Sequence, residues 1–168
     1  PNMPKLLLGE ILKNNAADPE IRDKAALVFG DEVLTYDALN EKVNRLANGL
    51  AGLGVTKGQR IAVLGRNSNT YVVLYFALAK IGAIMVPVNF WYRVNEILYT
   101  AKQSQSSALV YHSDFEETAR EVRENSDELK WTMSYGKDAE SGDYRLEEVV
   151  SDASGSEPRS EVDEEDPH

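Results

Sequence analysis

The sequence contains no cysteine and only two histidines, His112 and His168. Without a thiol there is no disulfide framework, no thiolate nucleophile and no cysteine-ligated zinc or iron–sulfur site. Two histidines far apart in the chain give no zinc or di-iron cluster either. Long apolar runs are also scarce. The longest, Tyr71 to Val88, is 18 residues with one charge, Lys80. Lys80, Gly82 and Pro87 interrupt its second half, so a helix followed by a buried strand fits better than a membrane span, which needs about 20 apolar residues. No secretory signal opens the chain, since Lys5-Leu6-Leu7-Leu8 passes at once into Gly9-Glu10.

An excess of positive charge is absent as well. The net charge is −10, but from Asp138 to His168 there are 12 acidic residues against Arg145 and Arg159, which leaves 16 acids and 16 bases in residues 1–137. A neutral body offers no electrostatic footprint for nucleic acid. The acidic stretch, residues 136–168, is rich in Gly, Ser, Asp and Glu and reads as solvated linker, broken only by Tyr144–Val150, enough for one helical turn or two. What remains, residues 1–135, is apolar enough to bury a core: the whole chain of 168 residues is 42% apolar and 27% charged, the balance of an ordinary single domain.

The periodicity of that body alternates. Residues 25–34 read as a hairpin around Gly30-Asp31. Thr35 then caps a helix, with Asp37 at its positive end. Tyr36, Leu39, Val43, Leu46, Leu50 and Leu53 form one apolar stripe, with Asn40, Glu41, Asn44, Arg45 and Asn48 off it. Gly52 and Gly54 supply the stop. Strands are expected at 60–65, 83–88, 108–111 and 130–134, and helices at 69–81 (capped by Ser68), 95–103 and 115–125. The order β-α-β-α-β-α-β predicts an α/β fold: an open, mostly parallel sheet with helices on both faces.

Few residues carry chemistry on their own. There is no G-x-x-x-x-G-K-[ST] and no G-x-G-x-x-G. Gly49-Leu-Ala-Gly52-Leu-Gly54 sits at the end of a helix, where the dipole repels phosphate, and reads as breaker and C-cap. Ser151 to Arg159 has small residues ahead of a base, but Asp152 and Glu157 oppose an anion there, and solvated linker is the better reading. The pairs Glu116-Glu117 and Glu147-Glu148 point in different directions on a helix. His112 stands at the carboxyl end of a strand, where α/β sheets place ligands, with no nucleophile beside it. Ser68 and Ser113 lack a G-x-S-x-G setting. The most unusual feature is Asn89-Phe90-Trp91-Tyr92-Arg93, three aromatics and a cation directly after a strand. Two readings of it stand: packing against the following helix, or a surface for a ligand or another domain.

Three segments, in register, are familiar. Leu34-Thr35-Tyr36-Asp37-Ala38-Leu39 resembles the first core motif of the adenylate-forming superfamily, which comprises acyl-CoA synthetases, adenylation domains of peptide synthetases and firefly luciferase. Gly58-Gln59-Arg60-Ile61-Ala62-Val63, followed by Asn67-Ser68, is similar to its next strand and turn. Leu78 to Asn89 resembles its second core motif, and the likeness runs from Ala25 to Tyr111. The detail is most similar to fatty-acyl and aryl-acid CoA ligases. Two positions depart from the pattern: Gln59 stands where an Asp is usual, and Arg93 where a Ser or Thr commonly caps the next helix.

The resemblance implies the first section of the large N-terminal domain of that fold, in an enzyme that uses ATP, Mg2+ and coenzyme A to form an acyl-adenylate and then an acyl-CoA. The Thr/Ser/Gly-rich phosphate loop ending in Pro-Lys-Gly does not occur in the 168 residues, so these residues alone are expected to be inactive, with the acidic segment 161–168 as lead-in to that loop. The implied partners are the remainder of the parent chain, a carboxylic acid substrate and a second copy in a homodimer; the implied location is the cytoplasm. By the same resemblance Phe90, Trp91, Arg93 and Arg120 lie toward the coenzyme A side, and no catalytic or metal-binding residue is assigned. The alternatives are a stand-alone α/β nucleotide-binding module and an interaction or scaffold domain using the aromatic loop.

Overall fold

The structure, a computed structural model, describes residues 8–159. Helix α1 (Leu8–Ala17) leads to a two-stranded antiparallel hairpin, β1 (Ala25–Phe29) and β2 (Glu32–Thr35). Gly30 turns it at φ +57°, a conformation that suits glycine. Helix α2 (Tyr36–Gly52) starts where Thr35 Oγ1 accepts from Ala38 N at 3.2 Å. Five parallel strands follow: β3 (Arg60–Leu64), β4 (Ile84–Val88), β5 (Ala108–His112), β6 (Trp131–Tyr135) and β7 (Tyr144–Arg145). Between them run α3 (Asn69–Lys80), α4 (Val94–Ser104), a 3-10 turn (Ser113–Phe115) and α5 (Glu116–Asn125), and α6 (Leu146–Asp152) closes the set.

The sheet order is β4-β3-β5-β6-β7. From β3 the chain steps outward to β4, then crosses back beyond β3 to β5. The reversal sends α3 and α4 to opposite faces. One core layer joins α1, α2, α3 and α6 to the sheet through residues such as Leu12, Leu46, Leu74, Val63, Val110 and Leu146. The other joins α4 and α5 to it through Leu64, Leu109, Ile97, Ala119 and Val122. Strands buried on both faces need continuous apolar sequence rather than alternation, and Ile61–Leu64 and Ala108–Tyr111 are buried at every position. The expected fold class is present, and each expected strand and helix of the body appears within two residues of its expected bounds. Tyr71–Val88 is indeed a helix followed by a strand, and no helix among the described residues is long and apolar enough to cross a membrane.

Three features depart from the sequence reading. Helix α1 was not expected; it buries only Leu12 and Ala16, too narrow a stripe to stand out in sequence. Gly49 is not a breaker but an interior residue of α2, where its bare Cα lets Val149 of α6 close in. The third is the stretch read as linker. As far as Glu157 it is built into the fold: β7 pairs with β6, α6 packs on α2, and residues 153–157 run along α2. Composition misled because acidic residues here find specific donors: Asp143 Oδ2 accepts from Thr132 N at 2.8 Å, Glu147 Oε1 from Gly136 N at 2.9 Å, and Glu157 meets Lys80. The lead-in expected at 161–168 lies outside the described residues.

Candidate functional site

In open α/β sheets ligands gather at the carboxyl ends of strands whose connections leave in opposite directions. Here those ends belong to β3, β4 and β5. The turn after β3 begins at Gly65 and ends at Ser68, whose Oγ accepts from Tyr71 N at 3.1 Å and so starts α3. A Cβ on Gly65 would collide with the Tyr135 hydroxyl, so only glycine lets β6 send that ring beneath the turn. Gly136, at φ +113°, passes equally close to His112: a Cβ would lie 2.6 Å from Ser113 Oγ and 2.9 Å from His112 Nε2. His112 Nδ1 accepts from Asp114 N at 3.0 Å, and its ring meets Tyr135 edge-on with centroids 5.2 Å apart.

Arg66 gathers the edge. Its guanidinium lies 5.2 Å from the Phe90 ring centre and 5.0 Å from that of Phe115, and its Nη1 pairs with Asp114 Oδ2 at 3.1 Å. Each such contact contributes modestly in water, but together they join the turns after β3, β4 and β5. Beside them is a cleft of about 380 Å³ lined by Gly65, Asn67, Tyr71, Pro87, Asn89 and Phe90. Two buried polar groups nearby have no partner, the Tyr135 hydroxyl and the side-chain amide of Asn69 at the first position of α3. Burial, with Tyr71 adding to it, pushes the Tyr135 phenol well above its usual range, so it is a neutral hydroxyl at any working pH.

The residues singled out in sequence fall in two places. Phe90 packs on Trp91 (5.2 Å between centroids) and Phe115 (6.3 Å). Trp91 is 80% exposed, which favours the surface reading over packing. Arg93 caps α4 after all: with no side-chain oxygen of its own, it donates its backbone N–H to Glu96 Oε2 at 2.7 Å, so Glu96 performs half of a capping box. Tyr92, Glu96 and Tyr99 border an open cleft on the outer side of α4. Arg120 lies elsewhere on the same face of the sheet, lining a cleft of about 360 Å³ with Tyr111, Arg123, Ser141 and Asp143. No cleft among those described contains both Arg120 and residues 90–93. Across that cleft Glu116 Oε1 accepts from Ser141 N at 2.8 Å, a bond that with the nearby Arg120 charge holds the Glu116 carboxyl below its usual range.

Sequence reasoning missed Arg66, Asp114, Asn69 and Tyr135. The signal available for them was position alone, since each stands within a few residues of a strand's carboxyl end or a helix start. Among the described residues no group of three or more His, Asp or Glu side chains is placed to hold a metal ion.

Comparison with known proteins supports the likeness seen in the motifs. The chain is 36% identical over 125 residues to a medium/long-chain-fatty-acid–CoA and 3-oxocholest-4-en-26-oate–CoA ligase of Mycobacterium marinum, covering 74% of this chain and 22% of that protein. It is 38% identical over 109 residues to the crotonobetaine/carnitine–CoA ligase of Salmonella typhimurium, covering 62% and 21%. Among solved structures, a long-chain-fatty-acid–CoA ligase from Archaeoglobus fulgidus superposes with a TM-score of 0.86 at 25% identity, over 99% of this chain and 34% of that one. A Mycobacterium tuberculosis fatty acyl CoA synthetase does so with a TM-score of 0.78 at 26% identity, over 92% and 30%. The chain thus spans about a fifth of the length of these curated relatives. The family model described as AMP-binding enzyme matches residues 13–168, and the chain belongs to that family.

Proposed function

We propose that these residues are the first section of an ATP-dependent carboxylic acid–CoA ligase, a cytoplasmic enzyme that forms an acyl-adenylate and then passes the acyl group to the coenzyme A thiol. The observation that supports this most is the loop after β4, where the resemblance to the family's second core motif, Leu78 to Asn89, is followed by an 80% exposed Trp91 at the carboxyl edge of a parallel sheet. An aromatic face beside a cation suits the flat base and phosphates of a nucleotide. In this reading Phe90 is the packed base of the loop, Trp91 the stacking face, and Arg93 and Arg120 the charges toward the coenzyme A phosphates. Arg120 borders a separate cleft, so one ligand would have to span both places.

ATP would supply the adenylate and pyrophosphate leaving group. The chain has no Pro-Lys-Gly phosphate loop, and its described residues offer no carboxylate cluster for Mg2+. What its own residues do is orient: Gly65 and Gly136 allow the turns after β3 and β6 to close, and Arg66 ties the turns after β3, β4 and β5 together. The boundary between the α/β body and any linker falls beyond Glu157 in this reading, later than composition suggests.

Two assays test it. The 168-residue chain incubated with ATP, Mg2+, coenzyme A and a fatty acid should release no pyrophosphate and form no thioester; measurable acyl-AMP would overturn its inactivity. In a ligase carrying this section, Trp91→Ala and Arg120→Ala should each raise the apparent KM for coenzyme A about tenfold or more, with adenylate formation unchanged. An unchanged KM would remove those residues from the coenzyme A side.

A further inference from the structure

Lys80 is the one charged residue among the buried described residues, its side chain only 4% exposed. Its Nζ donates to Asn40 Oδ1, Asn44 Oδ1 and Glu157 Oε2, each at 2.7 Å, which uses all three ammonium protons. Its stem lies under α1, where a Cβ on Gly9 would come within 2.7 Å of Lys80 Cγ. With the amide oxygens of the two asparagines turned to Lys80, their NH2 groups are free to face the segment 153–157. Asn44 Nδ2 donates to Gly155 O at 3.1 Å, and Asn40 Nδ2 to Glu157 Oε1 at 3.0 Å. Asn48 Nδ2 donates to Ser154 O and Ser156 O, both at 2.8 Å, and Arg45 Nη1 to Ala153 O at 2.7 Å.

Asn40, Asn44 and Asn48 are four apart, so they form one ridge along α2. That ridge and Arg45 take four successive main-chain carbonyls, 153 to 156, contacts that read the path of the backbone rather than a side-chain charge. Glu157 alone is recognised by a side-chain charge. A buried ammonium without an anion is costly, so the groove selects by charge at that position, and the close pass of Gly155 to Glu41 and Arg45 favours a small residue two places before it.

We propose that the α2 ridge with Lys80 is a binding groove for a short segment bearing a carboxylate at one fixed position, occupied in cis by residues 153–157, with the Lys80–Glu157 contact as its selective element. The groove is independent of the ligase reading and stands or falls separately.

Amide exchange on the 168-residue chain tests it. In Glu157→Gln and Glu157→Ala, the side-chain amides of Asn40, Asn44 and Asn48, which donate to this segment, should exchange about tenfold faster or more, while the main-chain amides of β3 and β5 keep their protection. A peptide of residues 151–159 added to the Glu157→Ala chain should bind and restore protection to the α2 ridge. The same peptide with Gln at the Glu157 position should bind about tenfold more weakly. In a Lys80→Met chain the two peptides should bind alike. Unchanged exchange in the Glu157 variants, equal binding of both peptides to a Lys80 chain, or loss of protection throughout the core would each overturn the proposal, the last because the pair would then be a general folding contact.

Discussion

Tyr135 carries its hydroxyl into the core without a partner, against the backbone of Gly65. An unsatisfied buried hydroxyl is a cost, so Tyr135→Phe should leave the chain as stable or up to about 1 kcal/mol more stable in urea unfolding. A loss of more than 1 kcal/mol would show that the hydroxyl finds a partner in solution. Gly136 makes the opposite case. At φ +113° and with Ser113 and His112 at its back, alanine there adds both backbone strain and a clash. Gly136→Ala should lower stability by about 1–3 kcal/mol in the same measurement. Neither residue was legible in sequence as anything but a strand end and a turn. Each owes its role to a neighbour more than 20 positions away.

At the scale of elements, the helix starts show how local signals survive a change of residue. Thr35 and Ser68 cap α2 and α3 as their side chains suggest. At α4 the cap position holds Arg93, and the sequence pattern fails there; Glu96 supplies the missing bond from the third helical position. Glu96→Ala should therefore cost about 1 kcal/mol, seen as a drop in Tm, whereas Arg93→Ser should be neutral or stabilising. Helix α2 shows a limit of a different kind. Its apolar stripe predicted the buried face, and Leu39, Val43, Leu46 and Leu50 are buried. The polar residues lie off that stripe, yet Asn44 among them is only 3% exposed. Gly49 belongs with it. Gly49→Val would push Val149 away and should cost about 1–3 kcal/mol, with α6 losing amide protection before the sheet does.

For the molecule as a whole, the Lys80–Glu157 contact joins the end of the described chain to its middle. Burial works against ionisation of Glu157, but Lys80, Asn40 and Asn44 together hold its carboxyl below the usual range. A carboxyl depressed on folding stabilises fully above its unfolded pKa of about 4.3, and that stability is lost as pH falls through the lower folded value. Lys80 is shifted down, by burial first and by Lys13 as well, against the pull of Glu157. A lysine lowered on folding binds its proton less well than in the unfolded chain, so its own contribution makes stability rise with pH through the alkaline range. Urea midpoints followed from pH 7 to pH 3 should fall less steeply for Glu157→Gln than for the wild type below about pH 4.5. Parallel curves would mean that the pair does not govern the acid limb.

The motifs at Leu34–Leu39, Gly58–Ser68 and Leu78–Asn89 carried the family resemblance, while apolar periodicity and glycine placement determined the alternating elements and the parallel sheet, because these depend on neighbours three or four residues apart and on strands buried on both faces. They also marked Phe90–Arg93 as unusual. Tertiary structure decided where those elements meet. The reversal of direction between β3, β4 and β5 brought Arg66, Phe90 and Asp114 to one edge and left Arg120 in a separate cleft. It also turned an acidic, Ser/Gly-rich stretch from apparent linker into a strap on α2. A carboxylate's fate depends on whether a buried cation waits for it, and Lys80 lies 77 residues from Glu157, beyond the reach of any local pattern.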